Sequence, residues 1–286
     1  MTWEIALPAA DVLGESPVWR PESGTLSRVD ISAGAIKVFD PRSGEDRTAV
    51  TAPDPVGFAI PRRDGGWIAG AGRRLVLYPE GQVVAEVEHE RESNRFNDAA
   101  CDVRGRLWAG TMSTVRAPGE AALYRIGSGW REVEPVLTGV GLSNGLDWSA
   151  DGTSMYYTDS LEQRVDVIDF DVDAGRLGDR RPFVRVAKRD GLPDGLTVDA
   201  EDHVWLALFG GGALRRYAPD GRLDREIRLP VTNPTSAAFG GAALTDLYVT
   251  SARHLLTPEQ LASEPLAGSL LRLDVGVAGR PAHLAP

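Results

Sequence analysis

Oxygen-bearing side chains recur at one position of a repeated sequence unit in this 286-residue chain. Each unit has a short entry run, a turn at Gly or Asp, and an aromatic or aliphatic strand. The turn follows the entry position by eight residues in the middle units and by nine in the first, and the last unit aligns more loosely. In chain order, the entry positions are Glu15, Gly57, Asn97, Asn144, Asp194 and Ser236.

A ring of such side chains is typical of a cation site. Two carboxylates that converge repel each other and lose solvation, and a divalent cation is the simplest compensation. All-oxygen ligands favour Ca²⁺, with Mg²⁺ or Mn²⁺ as alternatives, and Zn²⁺ also binds carboxylates. None of the four histidines falls at an entry position. The competing interpretation is local, because Asn144 and Asp194 each precede glycine, as turn residues commonly do.

The repeat also predicts the elements that hold these residues. Units of about 40 to 50 residues with several strands each are typical of β-propeller blades. Six units fit the length, and helix-forming patterns are nearly absent apart from residues 258–263. The sequence therefore predicts an all-β, six-bladed β-propeller that occupies residues 1–286 as one domain. We expect residues 3–7 to add an outer strand to the last blade and close the ring.

Composition excludes several kinds of partner. The chain has 41 acidic and 31 basic residues, a net charge of −10, which argues against nucleic-acid binding and against anionic membranes. Its one cysteine, Cys101, supports neither an internal disulfide nor a multi-thiolate zinc site. The first ten residues lack a secretory signal, and no apolar run reaches about 18 residues. We expect a cytoplasmic protein without a membrane or nucleic-acid partner; the oligomeric state is not predicted.

An ordered set of motifs extends over nearly the whole chain. They are residues 14–19 (GESPVW), 94–98 (NRFND), 109–112 (AGTM), 143–148 (SNGLDW), 193–195 (PDG), 249–253 (VTSAR) and 265–268 (PLAG). In order and spacing, the set resembles the regucalcin (senescence marker protein), gluconolactonase and luciferin-regenerating-enzyme family. Each motif alone is weak, and their order carries the resemblance.

The resemblance implies a six-bladed propeller with one divalent cation at the mouth of its channel. The implied metal ligands are Glu15, Asn144 and Asp194, and Asp194 would also act as general base. Members of this family typically open sugar lactones. The implied substrate contacts are Arg95, Asn97, Asp98 and Met112.

The chain departs from the family pattern at positions that concern the substrate. Residues 113–116 lack an acid that some sugar lactonases use to bind substrate hydroxyls. The substrate is then less hydroxylated than an aldonolactone, or it is anionic and met by Arg116. Arg28, His254 and Phe209 also stand where other residues are common in the family.

These observations predict a divalent-metal-dependent lactonase that hydrolyses a gluconolactone-like sugar lactone to its hydroxy acid. One alternative is an arylesterase or phosphotriesterase on the same scaffold, which Val115 favours by removing a polar contact. Others are a lactonase-like enzyme recruited to another pathway step and a non-catalytic cation-binding propeller. Arg95 argues against a purely structural ion, which needs no arginine beside it.

Overall fold

The computed structural model describes residues 3–286, which form antiparallel four-stranded sheets. Strand β1 (Trp3–Leu7) precedes the first complete sheet. Blade 1 comprises β2 (Gly14–Arg20), β3 (Thr25–Asp30), β4 (Ala35–Asp40) and β5 (Glu45–Thr51). Blade 2 comprises β6 (Val56–Pro61), β7 (Trp67–Ala71), β8 (Arg74–Tyr78) and β9 (Gln82–Glu86). Blade 3 comprises β10 (Asn94–Cys101), β11 (Leu107–Ser113), β12 (Ala121–Ile126) and β13 (Val133–Val140).

The remaining three sheets follow the same order. Blade 4 comprises β14 (Ser143–Trp148), β15 (Ser154–Asp159), β16 (Arg164–Asp171) and β17 (Arg176–Arg185). Blade 5 comprises β18 (Leu192–Val198), β19 (Val204–Phe209), β20 (Ala213–Tyr217) and β21 (Leu223–Arg228). Blade 6 comprises β22 (Pro234–Gly240), β23 (Asp246–Ser251), β24 (Leu270–Asp274) and β1.

The first strand of each blade lies against the first strands of both neighbouring blades. These inner strands, β2, β6, β10, β14, β18 and β22, therefore line a central channel. Strand β1 pairs antiparallel with β24 and is the outermost strand of blade 6. The six-bladed β-propeller and its closure by residues 3–7 are both confirmed.

Within residues 3–286, helical structure is confined to two short segments. A 3₁₀ turn spans Lys188–Asp190, and helix α1 spans Pro258–Ser263. Thr257 caps α1, because its hydroxyl accepts from the Gln260 N–H while the Gln260 side chain accepts from the Thr257 N–H. No helix within residues 3–286 has the length and hydropathy that a membrane span requires.

Every inner strand contains an irregularity of pairing close to its start. In β10, regular pairing stops at Phe96 and resumes at Ala99; in β18 it stops at Pro193 and resumes at Leu196. A β-bulge of this kind bends the strand and redirects its side chains. Asn97 and Asp194 lie in these bulges, and the repeat in the sequence corresponds to this repeated distortion.

The dipeptides Asn144-Gly145 and Asp194-Gly195 lie inside strands β14 and β18, so the turn interpretation is wrong. Close packing of adjacent inner strands explains both glycines. A Cβ on Gly145 would lie 2.3 Å from the Leu196 nitrogen, and one on Gly195 would lie 2.2 Å from Ser236 Oγ. Glycine follows these residues because neighbouring strands leave no room for a side chain.

The alignment of the sixth blade is wrong by one residue. Pairing in β22 stops at Pro234 and resumes at Ala237, so Thr235, and not Ser236, corresponds to Asp194. Thr235 is fully buried, and its hydroxyl donates to the Gly14 carbonyl oxygen at 2.6 Å. This hydrogen bond links blade 6 to blade 1.

Tryptophan side chains from several strands pack within and between blades. Trp108 and Trp148, from neighbouring blades, meet edge to face with ring centroids 6.2 Å apart. Trp108 Nε1 donates to Asp102 Oδ2 at 2.9 Å, which satisfies its buried polar atom. Cys101 is buried in a separate core cluster with Leu107, and burial raises the pKa of its thiol.

The C-terminal tail, residues 279–286, crosses the end of the channel farthest from the bulges. Gly279 pairs with Asp199, beyond β18 in blade 5, and Ala285 pairs with Arg62, beyond β6 in blade 2. These blades lie opposite each other in a ring of six. Between them, Arg280 donates to the Trp148 carbonyl oxygen of blade 4. The tail thus spans the channel and links three blades.

Candidate metal and substrate site

A cavity of about 80 Å³ opens at the end of the channel where the bulges lie. It is formed by residues from the inner strands of blades 1, 3, 4 and 5, together with loops around them. Six of the seven side chains predicted from the sequence line this cavity. They are Glu15, Arg95, Asn97, Met112, Asn144 and Asp194.

The three predicted metal ligands come from three blades. Asn144 Nδ2 donates to Asp194 Oδ1 and, at 3.2 Å, to Ser160 Oγ. Glu15 is 7% exposed, and its Oε2 accepts from the Ser16 N–H at 2.7 Å. Ser16 has φ +47°, a left-handed conformation in the bulge that follows Glu15. These hydrogen bonds fix the orientations of the Glu15, Asn144 and Asp194 side chains.

The two carboxylates are only partly neutralised, because the charge of Arg95 lowers the pKa of each without forming an ion pair. Within residues 3–286, neither Glu15 nor Asp194 forms an ion pair with a basic side chain. Burial raises the pKa of Glu15, and the negative charges of Asp194 and Asp98 raise it further. Burial also raises the pKa of Asp194, again with repulsion from Asp98. A cation between these groups would remove the repulsion and stabilise both charged forms.

The donor set fits one divalent cation. In the described part of the chain, no three carboxylate, imidazole or thiol side chains come together as a metal-binding group. A site here would therefore combine the carboxylates of Glu15 and Asp194 with the amide oxygen of Asn144. Two negative charges balance a dication, and oxygen donors suit Ca²⁺ or Mg²⁺.

Arg95 and Asn97 form a connected pair on β10. Arg95 Nη1 donates to Asn97 Oδ1 and to the Phe96 carbonyl oxygen, each at 2.8 Å. Asn97 Nδ2 donates to the Ser143 carbonyl oxygen at 2.9 Å, which fixes its amide between blades 3 and 4. Burial lowers the pKa of Arg95 to about 10, so the guanidinium remains charged at neutral pH.

Asp98 is the predicted contact that lies apart from the others. It lines a larger cavity of about 420 Å³ toward the C-terminal tail, which Ser236 and Arg280 also line. Burial raises the pKa of Asp98 to about 6. Successive residues of an extended strand face opposite sides, and Asp98 follows Asn97 directly. Asp98 therefore points away from the cavity that Asn97 lines. The structure does not bring Asp98 into the pocket of the other predicted residues.

Part of the pocket wall was not predicted from the sequence. Leu13, Leu142 and Leu192 line the cavity, and each lies two residues before one of the predicted metal ligands. Arg95 has the same relation to Asn97. Because side chains two apart in a strand share a face, this offset is the sequence signal that could have identified the wall.

The residues that depart from the family pattern separate into two groups. Arg116, His254 and Phe209 line the pocket. Val115 is 72% exposed and is not part of the wall, so the argument based on it is wrong. Arg28 is fully buried, and its guanidinium donates to Asp11 and Asp46. It is a structural residue of blade 1.

Comparison with known proteins shows which family this sequence resembles. Residues 13–253 match the family described as the SMP-30/Gluconolactonase/LRE-like region. Regucalcin of Bos taurus is 37% identical over 281 residues, which covers 94% of this chain and 93% of that protein. Human regucalcin is 36% identical over 287 residues, with coverage of 96% and 95%.

The chain belongs to the SMP-30/gluconolactonase/LRE-like family. Solved structures agree with this assignment. A calcium-binding protein, regucalcin, from Agrobacterium tumefaciens has a TM-score of 0.93 at 27% identity, covering 100% of this chain and 97% of its own. A luciferin-regenerating enzyme has a TM-score of 0.90 at 28% identity, covering 98% of both chains. Membership of this gluconolactonase-like family supports a lactonase-like function.

Proposed function

We propose that this protein hydrolyses a lactone to its hydroxy acid with a divalent cation bound by Glu15, Asn144 and Asp194. One observation carries the proposal: two buried carboxylates without an ion-pair partner, among residues 3–286, share a small open cavity with a charged arginine. When bound there, a divalent cation supplies Lewis-acid polarisation of the substrate carbonyl. A cavity that only needed an ion for stability would have no use for Arg95.

Ca²⁺ is the ion we propose. The donors are oxygens from carboxylate and amide groups, which suit a hard cation. The name of the Agrobacterium regucalcin, a calcium-binding protein, supports the same choice. Mg²⁺, Mn²⁺ and Zn²⁺ are the competing ions, and metal reconstitution distinguishes among them.

The side chains of the pocket have separate roles in this proposal. Asp194 accepts the proton of the attacking water as general base, while Asn97 orients the substrate through its amide. Arg95 binds substrate oxygens with the N–H groups that do not serve Asn97 and Phe96. Met112 forms part of the wall beside the reacting ring.

The test measures metal binding and turnover on the same samples. Chelator-stripped protein is titrated calorimetrically with Ca²⁺, Mg²⁺, Mn²⁺ or Zn²⁺ and then assayed on sugar lactones by proton release. Glu15→Gln and Asp194→Asn should weaken metal binding at least about 100-fold and abolish turnover, because each removes one of two ligand charges. Arg95→Gln should retain the metal and mainly raise KM.

Asp179→Asn is the matched control, because it removes an exposed carboxylate from the outer strand of blade 4. It should behave as the native protein in both assays. Full activity of metal-stripped Asp194→Asn protein would contradict the proposal. Tight metal binding without turnover of any ester would favour the cation-binding propeller or an enzyme recruited to another reaction.

A second candidate is hydrolysis of an aryl ester or a phosphotriester. The apolar wall favours it, since Leu13, Leu142, Leu192 and Phe209 offer contacts to an aromatic group. Phenyl acetate and paraoxon are therefore included in the substrate series. A higher kcat/KM for either than for every lactone would replace the lactonase assignment with this one.

A further inference from the structure

Arg116 stands at the rim of the pocket in an uncommon backbone conformation. Its N–H donates to the Ser113 carbonyl oxygen at 2.9 Å, which closes a turn directly after β11. Its φ of +54° lies in the left-handed region, where glycine or asparagine is favoured over arginine. The side chain is exposed, and it lines the same cavity as Glu15 and Asp194.

Arg116 and Arg95 share a further property. Neither guanidinium forms an ion pair with a carboxylate anywhere in residues 3–286, although many arginines on the surface do. Arg95 is mostly buried, and its hydrogen bonds to protein groups use only Nη1. Cationic groups beside a concave site, without a carboxylate paired to them, are typical of anion recognition.

His254 shows that both positive charges act on the same part of the pocket. Burial lowers the pKa of His254, and the charges of Arg116 and Arg95 lower it further. Its imidazole is therefore neutral at neutral pH and adds no third charge. The wall also contains Ile31 and Phe209, which supply no negative group.

The charge balance of the pocket is positive once a dication is bound. The carboxylates of Glu15 and Asp194 would then offset the ion, and Asp98, which lines the other cavity, adds one negative charge that acts on both. The charges of Arg95 and Arg116 at the mouth exceed that single charge. A neutral sugar lactone would leave this excess positive charge without a counter-charge.

We propose that the preferred substrate is a lactone that carries a carboxylate, and that Arg116 and Arg95 bind this carboxylate. The inference rests on the proposed lactone hydrolysis and adds the substrate class. A guanidinium binds a carboxylate through two parallel N–H groups, which fixes the orientation of the ring as well as its charge. Water attacks the lactone carbonyl, the ring C–O bond breaks, and the ring oxygen leaves as a hydroxyl; the substrate carboxylate is unchanged.

The test compares two lactones that differ in one group. One is a neutral aldonolactone, and the other is the same lactone with its terminal hydroxymethyl group oxidised to a carboxylate. For native, metal-loaded protein, kcat/KM for the anionic lactone should exceed that for the neutral one about tenfold, the effect of one good ion pair. Higher salt should reduce this preference, because Arg116 is exposed.

The variant Arg116→Gln keeps a side chain of similar length and removes the charge. It should lower the preference for the anionic lactone about threefold, through KM more than kcat, because Arg95 still contacts the carboxylate. Arg131→Gln is the matched control, because it removes an exposed arginine outside the pocket. It should keep the native preference.

The possible results separate the two proposals. An equal or higher kcat/KM for the neutral lactone, or a preference that Arg116→Gln does not change, would overturn this inference and leave lactone hydrolysis standing. Failure of metal-loaded protein to hydrolyse either lactone, while it still binds Ca²⁺, would overturn both.

Discussion

The chemistry proposed for the site depends on where its side chains lie and not on unusual residue types. Glu15, Asn144 and Asp194 are common residue types, and each acquires its properties from burial beside the others. Glu15 and Asp194 have raised pKa values because they lose solvation and face like charges. Arg95 has a lowered pKa through burial alone, since the neighbouring acids act in the opposite direction.

Asp98 allows a test of this electrostatic description without changing a proposed ligand. Its folded pKa of about 6 lies above the usual 3.8, so its contribution to stability is complete below pH 3.8 and is lost as pH rises through about 6. In metal-stripped protein, Asp98→Asn should therefore gain stability over native protein between about pH 4 and about pH 8. The expected gain above the folded pKa is about 3 kcal/mol.

Urea unfolding of both proteins across this pH range measures the difference in unfolding free energy. The amide oxygen that the substitution introduces can still accept the hydrogen bond that Asp98 Oδ1 accepts from the Ala99 N–H. If the stability gain of Asp98→Asn over native protein did not change with pH, burial would not raise the pKa of Asp98. If this gain decreased as pH rises, the pKa of Asp98 would be lowered in the folded protein and not raised.

At the scale of elements, bulges in the inner strands build the site. They turn Asn97, Asn144 and Asp194 toward the mouth while the rest of each strand stays paired. The distances between these side chains require inner strands that approach closely, and the glycines beside the proposed ligands permit this approach. Gly145 and Gly195 are therefore as necessary to the site as the proposed ligands that they follow.

Gly145→Ala tests this requirement. A Cβ at this position would lie 2.3 Å from the Leu196 nitrogen and 2.8 Å from the Asp194 carbonyl oxygen, so blades 4 and 5 would have to separate. We expect a loss of about 3 kcal/mol in unfolding free energy, together with weaker Ca²⁺ binding. Denaturant unfolding and calorimetry measure the two effects.

Gly129→Ala provides the control, since a Cβ there meets no atom within 4 Å. It should leave the free energy of unfolding within about 0.5 kcal/mol of the native value. Equal stability of the two variants would show that the inner strands separate without cost, and the packing argument would be wrong.

At the scale of the whole molecule, the ring is closed in two ways. Strand β1 completes blade 6, and the ion pair between Glu4 and Arg272 at 2.6 Å joins it to β24. The tail, residues 279–286, crosses the channel at the end away from the site. Backbone hydrogen bonds join Ala285 to Pro61 and to Arg63 in blade 2.

Deletion of residues 279–286 should lower the melting temperature by roughly 10 °C, because it removes several backbone hydrogen bonds between opposite blades. Ca²⁺ affinity should stay within about twofold, since the tail does not line the site. Deletion of Pro286 alone is the control and should change neither quantity. An unchanged melting temperature after the longer deletion would show that the tail does not link the blades.

The sequence by itself determined the architecture and most of the site. Spacing between repeats indicated six blades, and the ordered motifs identified Glu15, Asn144 and Asp194 as a set. These features can be recognised in the sequence because each blade is a local unit, and its hydrophobic pattern and bulge repeat along the chain. The outer position of residues 3–7 followed from the same count of strands.

Only the tertiary structure decided which side of an inner strand each residue faces. The bulges shift register by one residue, and a shift of one moves a side chain to the opposite face. For this reason Asp98 lies in the far cavity, and Thr235 replaces Ser236 at the ring position. The partners of Arg28, and the absence of an ion-pair partner for Arg116 among residues 3–286, also depend on the tertiary structure, because Arg28 pairs with Asp11 and Asp46, which lie 17 and 18 residues away along the chain.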